Sequence, residues 1–160
     1  MKIRNLTPDM YAKASALLRE AFPGSHYEEQ LVGNLHKNNK IIHDWACIHT
    51  NKVVAYIAFS KAYNGSEVCG LHLAPLAVKP EYQHQGIGSE LLNFALRQNI
   101  IKESTLYVLG NPGFYTQFGF ELCVNPICPY TKKNKNFLSI RNKSSAQFTV
   151  EYEPEFSSGI

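Results

Sequence analysis

No stretch of this 160-residue sequence stays apolar for long. The greasiest segments are broken by His, Lys or Pro, whereas a bilayer-spanning helix needs about 20 apolar residues. The opening residues, MKIRNLTPDMY, lack the apolar centre of a secretory leader, so a cytoplasmic protein is expected. Cysteine is sparse and scattered. Cys47, Cys69, Cys123 and Cys128 make no C-x-x-C pair, and no histidine follows Cys128. The Cys123 and Cys128 pair could suggest a metal, but without a following histidine buried free thiols are expected and no metal site. Repeats, low-complexity tracts and linkers are also missing, so residues 1–160 read as a single domain. Charge of one sign is in short supply too. A net +3 with 18% charged residues is mild and does not by itself argue for nucleic acid, which is not expected as a partner. The exception is local: Lys132, Lys133, Lys135, Arg141 and Lys143 crowd into residues 132–143. That segment reads as a solvated basic loop, or more sharply as a patch for a phosphorylated cofactor or an anionic partner.

What is present is a globular composition, 44% hydrophobic, in a chain long enough to bury a core. Residues 2–6 have the look of a first strand. Thr7-Pro8-Asp9 opens a helix with a cap residue and a Pro in its first turn, and Ala14, Leu17, Leu18, Ala21 and Phe22 recur at helical spacing. Pro23-Gly24-Ser25 closes it, and Tyr27, Leu31 and Leu35 mark a second helix. The rhythm then changes to strands at WACIHT and VVAYIAFS, joined at Asn51-Lys52, and at CGLHLAPLAV after an Asn64-Gly65 turn. Pro75 removes a ladder donor, so this third strand should be bulged, split or edge-exposed there. Ser89, Leu91, Leu92, Ala95 and Leu96 form an amphipathic helix. TLYVLG, a short helical piece near residues 114–118, FELCV, FLSIR and FTVEY complete the chain. The order β-α-α-β-β-β-α-β-α-β-β describes an α/β fold, with a mixed sheet and helices on its faces.

The most informative segment is V-K-P-E-Y-Q-H-Q-G-I-G-S-E-L-L, residues 78–92. A strand ends, a polar turn follows, and two glycines lead into a helix. Gly86 and Gly88 leave room for a ligand to approach the backbone. The first amides of the helix have no intrahelical acceptor, and with the positive end of the helix dipole they suit phosphate oxygens. A Walker loop would need G-K-[ST], but Ser89-Glu90 follows Gly88. A dinucleotide fingerprint would need a third small residue where Leu91 stands.

Gln83-x-x-Gly86-x-Gly88 after a V-x-P turn resembles the Q/R-x-x-G-x-G/A signature of the Gcn5-related N-acetyltransferases. Tyr115-Thr116-Gln117-Phe118-Gly119-Phe120 resembles the same family's Y-x-x-x-G-F. More narrowly, APLAVKPEYQHQGIG with LGNPGFYTQFGFE is similar to the YhbS-like branch. The motifs cover residues 74–120, and the order of elements agrees over nearly the whole chain. The resemblance implies a central, mostly antiparallel mixed sheet with helices on both faces. It also implies acetyl-CoA as acyl-donor cosubstrate and a primary amine, on a small molecule or a protein, as acceptor. The loop Gln83, His84, Gln85, Gly86, Ile87, Gly88 and Ser89 would then cradle the pyrophosphate. The strand Leu76, Ala77 and Val78 would pair with the pantetheine arm and offer main-chain oxyanion donors.

An alkyl amine titrates near ~10 and must lose a proton before it attacks a thioester. The site therefore needs a proton acceptor, oxyanion donors and an acid for the departing sulfur. By resemblance Tyr115 is that acid. His72, eleven residues before Gln83, is the candidate base, with Glu67 or a water chain as alternatives. Phe22, Tyr27, Glu28 and Tyr63 are expected to line the acceptor pocket. A non-catalytic acyl-CoA sensor and an RNA- or protein-interaction module built on residues 132–143 are the competing readings. A homodimer is left open.

Overall fold

The structure, a computed structural model, describes residues 1–158 and contains eight strands among them. Strand β1 (Lys2–Asn5) leads into a single 3-10 turn, Pro8–Met10, and then helix α1 (Tyr11–Ala21). Pro8 sits at the first position of that turn, as expected. The Thr7 hydroxyl, however, bonds to the Asp9 carboxylate instead of capping a backbone amide. Two residues before helix α2 (Tyr27–Lys37), Ser25 Oγ accepts from the Tyr27 amide at 3.3 Å and donates to Glu28 at 2.8 Å. Strands β2 (Ile42–His49) and β3 (Lys52–Asn64) are joined through Thr50 and Asn51, with φ of 46° and 62°. Two successive positive φ values are the signature of a type I′ hairpin turn. The turn thus lies one residue earlier than the sequence pattern indicated.

Strand β4 (Glu67–Val78) runs unbroken through Pro75, whose peptide bond with Ala74 is cis. Helix α3 (Ile87–Leu96) and a short α4 (Asn99–Lys102) precede β5 (Leu106–Leu109). Helix α5 (Pro112–Tyr115), a 3-10 turn over Thr116–Phe118, β6 (Glu121–Leu122), β7 (Phe137–Ile140), β8 (Glu151–Tyr152) and α6 (Glu155–Ser158) complete the order. The strand order is β1-β2-β3-β4-β5-β7-β6, with β8 against β3. Pairing of β4 with β5 is parallel. The β1–β2, β3–β8, β5–β7 and β6–β7 pairs are antiparallel. The expected mixed, mostly antiparallel α/β sheet is therefore present. The β4–β5 ladder comprises Leu71↔Leu106 and His72↔Tyr107, so it ends before Pro75, where no amide is available to extend it. Neither α4 nor α6 was foreseen. Four-residue helices are too short to display a period.

By packing, the chain falls into two compact units: Met1–Phe59 with Ala74–Arg97 and the chain from Pro154, and Ser60–Leu73 with Gln98–Glu153. The first unit is centred on Leu17, Leu18, Val32, Ala46 and Tyr56. Full burial of an aliphatic side chain contributes about 1.5–3 kcal/mol. Within this core the buried Asp44 carboxylate meets His36 Nε2 at 2.9 Å and accepts the Tyr56 hydroxyl at 2.8 Å. In the second unit Tyr107 stacks on Phe137, beside Cys123, Cys128 and Val150. Gly70 matters here, because a Cβ on it would stand 2.5 Å from the Thr105 carbonyl oxygen. Its absence lets Leu71 N–H bond that oxygen at 2.8 Å, where β5 enters the sheet.

Arg141 corrects the sequence picture of a continuous basic segment. Its Nε and Nη2 donate to the Ser104 and Ile101 carbonyls at 2.9 and 2.7 Å, closing the C-terminal end of α4. A cation at that end satisfies orphan carbonyls and the helix dipole. Its guanidinium is thereby committed, which leaves Lys132, Lys133, Lys135 and Lys143 as the exposed cations of the segment. All four cysteines are free thiols; three are buried and Cys69 is half-buried.

Candidate functional site

In the first unit β4 delivers the chain to a polar turn. Pro80–Tyr82 forms a 3-10 turn, His84 adopts φ of 63°, and Gly86, the residue before α3, adopts φ of 82°. A Cβ at Gly86 would meet nothing within 4 Å, so glycine is needed there for backbone conformation. Gly88 is different. Its φ is ordinary, and a Cβ would make only a 3.5 Å contact with Val78 Cγ2. The protein's own packing does not require glycine at that position. Close approach of a ligand to the backbone does supply a reason.

The glutamines brace the turn. Gln83 Nε2 donates to the Val78 carbonyl at 3.0 Å, and Gln85 Nε2 to the Glu81 carbonyl at 3.1 Å. Gln83, His84, Gln85 and Gly86 are exposed, and Ile87 is buried as the anchor of α3. The first intrahelical bond runs from Glu90 N–H to the Gly86 carbonyl at 3.0 Å. The amides of Ile87, Gly88 and Ser89 therefore point out of the helix start as donors. On the preceding strand Ala77 is buried in the core, while Leu76 and Val78 are half-buried.

Tyr115 and His72 both lie in the second unit. Tyr115 ends α5, which Asn111 starts by accepting the Gly113 amide at 2.9 Å, with Pro112 at the first position. The ring meets Phe114 and Phe120 edge-on, with centroids 5.0 and 5.5 Å away. Gly110 seats it: a Cβ there would lie 2.5 Å from Tyr115 Cε2. Burial pushes the Tyr115 phenol up to about 12, so it remains an O–H donor at neutral pH. Gly119, with φ of 94°, ends the following turn. Gly110 and Asn111 were not singled out from the sequence. The packing that gives them meaning is not visible in local spacing.

His72 is 4% exposed and stacks face to face on Tyr152, centroids 3.5 Å apart and 4° from parallel. Desolvation brings its pKa down to about 3. Glu67, the alternative base, is exposed at the start of β4. The residues expected around an acceptor are all engaged. Phe22 packs on the first core, Tyr27 donates to the Phe156 carbonyl at 2.7 Å, and Glu28 accepts from Ser25. Tyr63 donates to Glu153 at 2.9 Å.

The family model described as an acetyltransferase (GNAT) domain matches residues 40–122, a span containing both the glycine loop and Tyr115. The chain is also 33% identical over 113 residues to the uncharacterized N-acetyltransferase YhbS of Escherichia coli K12, across 69% of this chain and 67% of that one. The chain belongs to the GNAT acetyltransferase family. Among solved structures, GNAT protein YhbS from Escherichia coli in complex with CoA superposes with a TM-score of 0.87 at 28% identity, covering 98% of this chain and 91% of that one. A GNAT acetyltransferase from Brucella melitensis, in complex with acetyl-CoA, shares the fold with a TM-score of 0.80 at 24% identity, covering 97% of each chain. Among the described residues, no helix of this GNAT chain is long and apolar enough to cross a membrane.

Proposed function

We propose that residues 1–160 act as one acetyl-CoA-dependent N-acetyltransferase domain, which transfers an acetyl group to a primary amine by direct attack in a ternary complex. The observation that carries this reading is Gly88: a helix start whose amides are open, with a glycine that internal packing does not need. A bound acyl-CoA would supply the activated thioester. The amides of Ile87, Gly88 and Ser89 would hold its phosphates, and the main chain of Leu76, Ala77 and Val78 would run along its arm. The CoA complex of YhbS supports that choice of ligand.

Tyr115 suits the leaving-group side. A phenol held near 12 donates a hydrogen bond to the developing thiolate throughout the neutral range. Complete proton transfer to a thiolate of ordinary basicity, about 8.5, would run uphill. The stabilisation therefore comes from donation, with the proton drawn finally from solvent or from the nitrogen of the tetrahedral intermediate as it becomes the amide. His72 fits the base role poorly. An imidazole titrating near 3 cannot hold a proton taken from an alkylammonium, and its enclosure by Tyr152 favours a packing role. Acceptor deprotonation is accordingly assigned to solvent at the acceptor.

Thermal shifts with acetyl-CoA, CoA, NAD and ATP test the reading. At 100 times the dissociation constant a specific ligand stabilises by about 2.7 kcal/mol. Shifts with the two CoA species alone support it, and CoA release with a panel of amines then identifies the acceptor class. No shift with either CoA species overturns it. Binding without turnover on any amine would leave an acyl-CoA sensor.

A further inference from the structure

A hollow of about 340 Å3 lies wholly within the second unit and shares no residue with the glycine loop or Tyr115. Its floor is apolar, made by Phe137, Ile127 and the free thiols of Cys123 and Cys128. Two large aliphatic side chains stand in its wall, Leu122 at 56% and Val124 at 69% exposure. Its rim carries Lys132, Lys133 and Lys135. No Asp or Glu lines it, and none of those three lysines has an ion-pair partner among the described residues. The rim is ordered by Asn134, which accepts the Asn136 amide at 2.9 Å through its side chain and the Phe137 amide at 3.2 Å through its carbonyl.

Exposed aliphatic surface and clustered like charge both oppose folding, and one ligand relieves both: an anion with an apolar tail. The volume stands at the lower end of small-molecule sites, about 300–1,000 Å3, and favours a compact ligand over a macromolecule. We propose that this hollow binds a small amphiphilic anion, a medium-chain carboxylate in class. Its tail lies against Leu122, Val124, Ile127 and Phe137, and its head is held by Lys132, Lys133 and Lys135.

Calorimetric titration of the full chain with octanoate tests the site, with acetate and octanamide as head-only and neutral controls. Octanoate binds, and acetate and octanamide bind at least about tenfold more weakly, as expected from losing the apolar tail or the charged hydrogen bonds. Combined Lys132→Ala, Lys133→Ala and Lys135→Ala, and separately Val124→Asp, weaken octanoate by at least about tenfold. These positions are exposed, so folding is spared, and the acetyl-CoA thermal shift is unchanged in both variants. Absence of octanoate binding at millimolar concentration overturns the proposal, as does equal binding by either variant or by octanamide. Lysine-dependent binding of a single-stranded RNA oligomer without octanoate binding overturns it too, and reassigns the lysines.

Discussion

Residues 78–89 and residues 110–120 both turn on glycines, for opposite reasons. In the first segment the glycines keep side chains away from backbone donors: Gly86 supplies a left-handed turn and Gly88 leaves open space above an amide. The polar side chains around them are exposed, and two brace the turn itself. In the second segment Gly110 makes room for a side chain, the buried Tyr115 ring, which Phe114 and Phe120 then enclose. One segment presents open backbone donors. The other packs around a single buried phenol, and the proposed function makes opposite demands on the two.

The sharpest test of this contrast is Tyr115→Phe. Turnover should fall about 100-fold, as for loss of a positioned proton donor, with acetyl-CoA affinity in the thermal-shift assay nearly unchanged. A fully active variant would remove the hydroxyl from the chemistry. Next in size is Gly110→Ala, which forces the ring off its seat. Overpacking should cost about 1–3 kcal/mol in denaturant unfolding and lower kcat as well, and a neutral result in both would show that the seat is not needed. Gly88→Ala should do the reverse. Acetyl-CoA affinity drops about tenfold for the lost approach to the amide. The melting temperature holds or rises, because alanine is the better helix former by about 1 kcal/mol. If stability fell while affinity held, the glycine would be structural and the contrast would fail.

Smaller still is Gln83→Ala, which removes one brace worth about 0.5–1.5 kcal/mol and weakens acetyl-CoA less than tenfold. A larger loss would put the side chain itself on the ligand. The phenol also predicts a pH signature. The folded pKa of Tyr115, about 12, lies above its ordinary value of 10.0. Its contribution to stability is therefore complete below pH 10 and lost as pH rises from there toward 12. Alkaline unfolding curves of wild type and Tyr115→Phe, compared over that window, should diverge in this sense.

Much of the architecture was legible because its signals are local. Pro8 at a helix start, the periodic burial of Ala14, Leu17 and Leu18, and the breaks at Asn51 and Gly65 each depend on near neighbours in the chain. Arg141 was misread for the complementary reason. Five cations in one stretch look alike in sequence, and only the fold brings the Ile101 and Ser104 carbonyls to one of them. His72 shows the same limit. Its flanking leucines announced a strand, but nothing near it in the chain announced Tyr152 lying flat against its ring.

Backbone conformation is thus what the sequence determined by itself. A left-handed residue before a helix demands glycine at position 86, and the motif, the turn and the open amides follow from sterics within a few residues. Desolvation was decided only in the tertiary structure. Whether an imidazole, a phenol or a guanidinium meets water depends on residues remote in the chain, and with it the proton chemistry each group can perform.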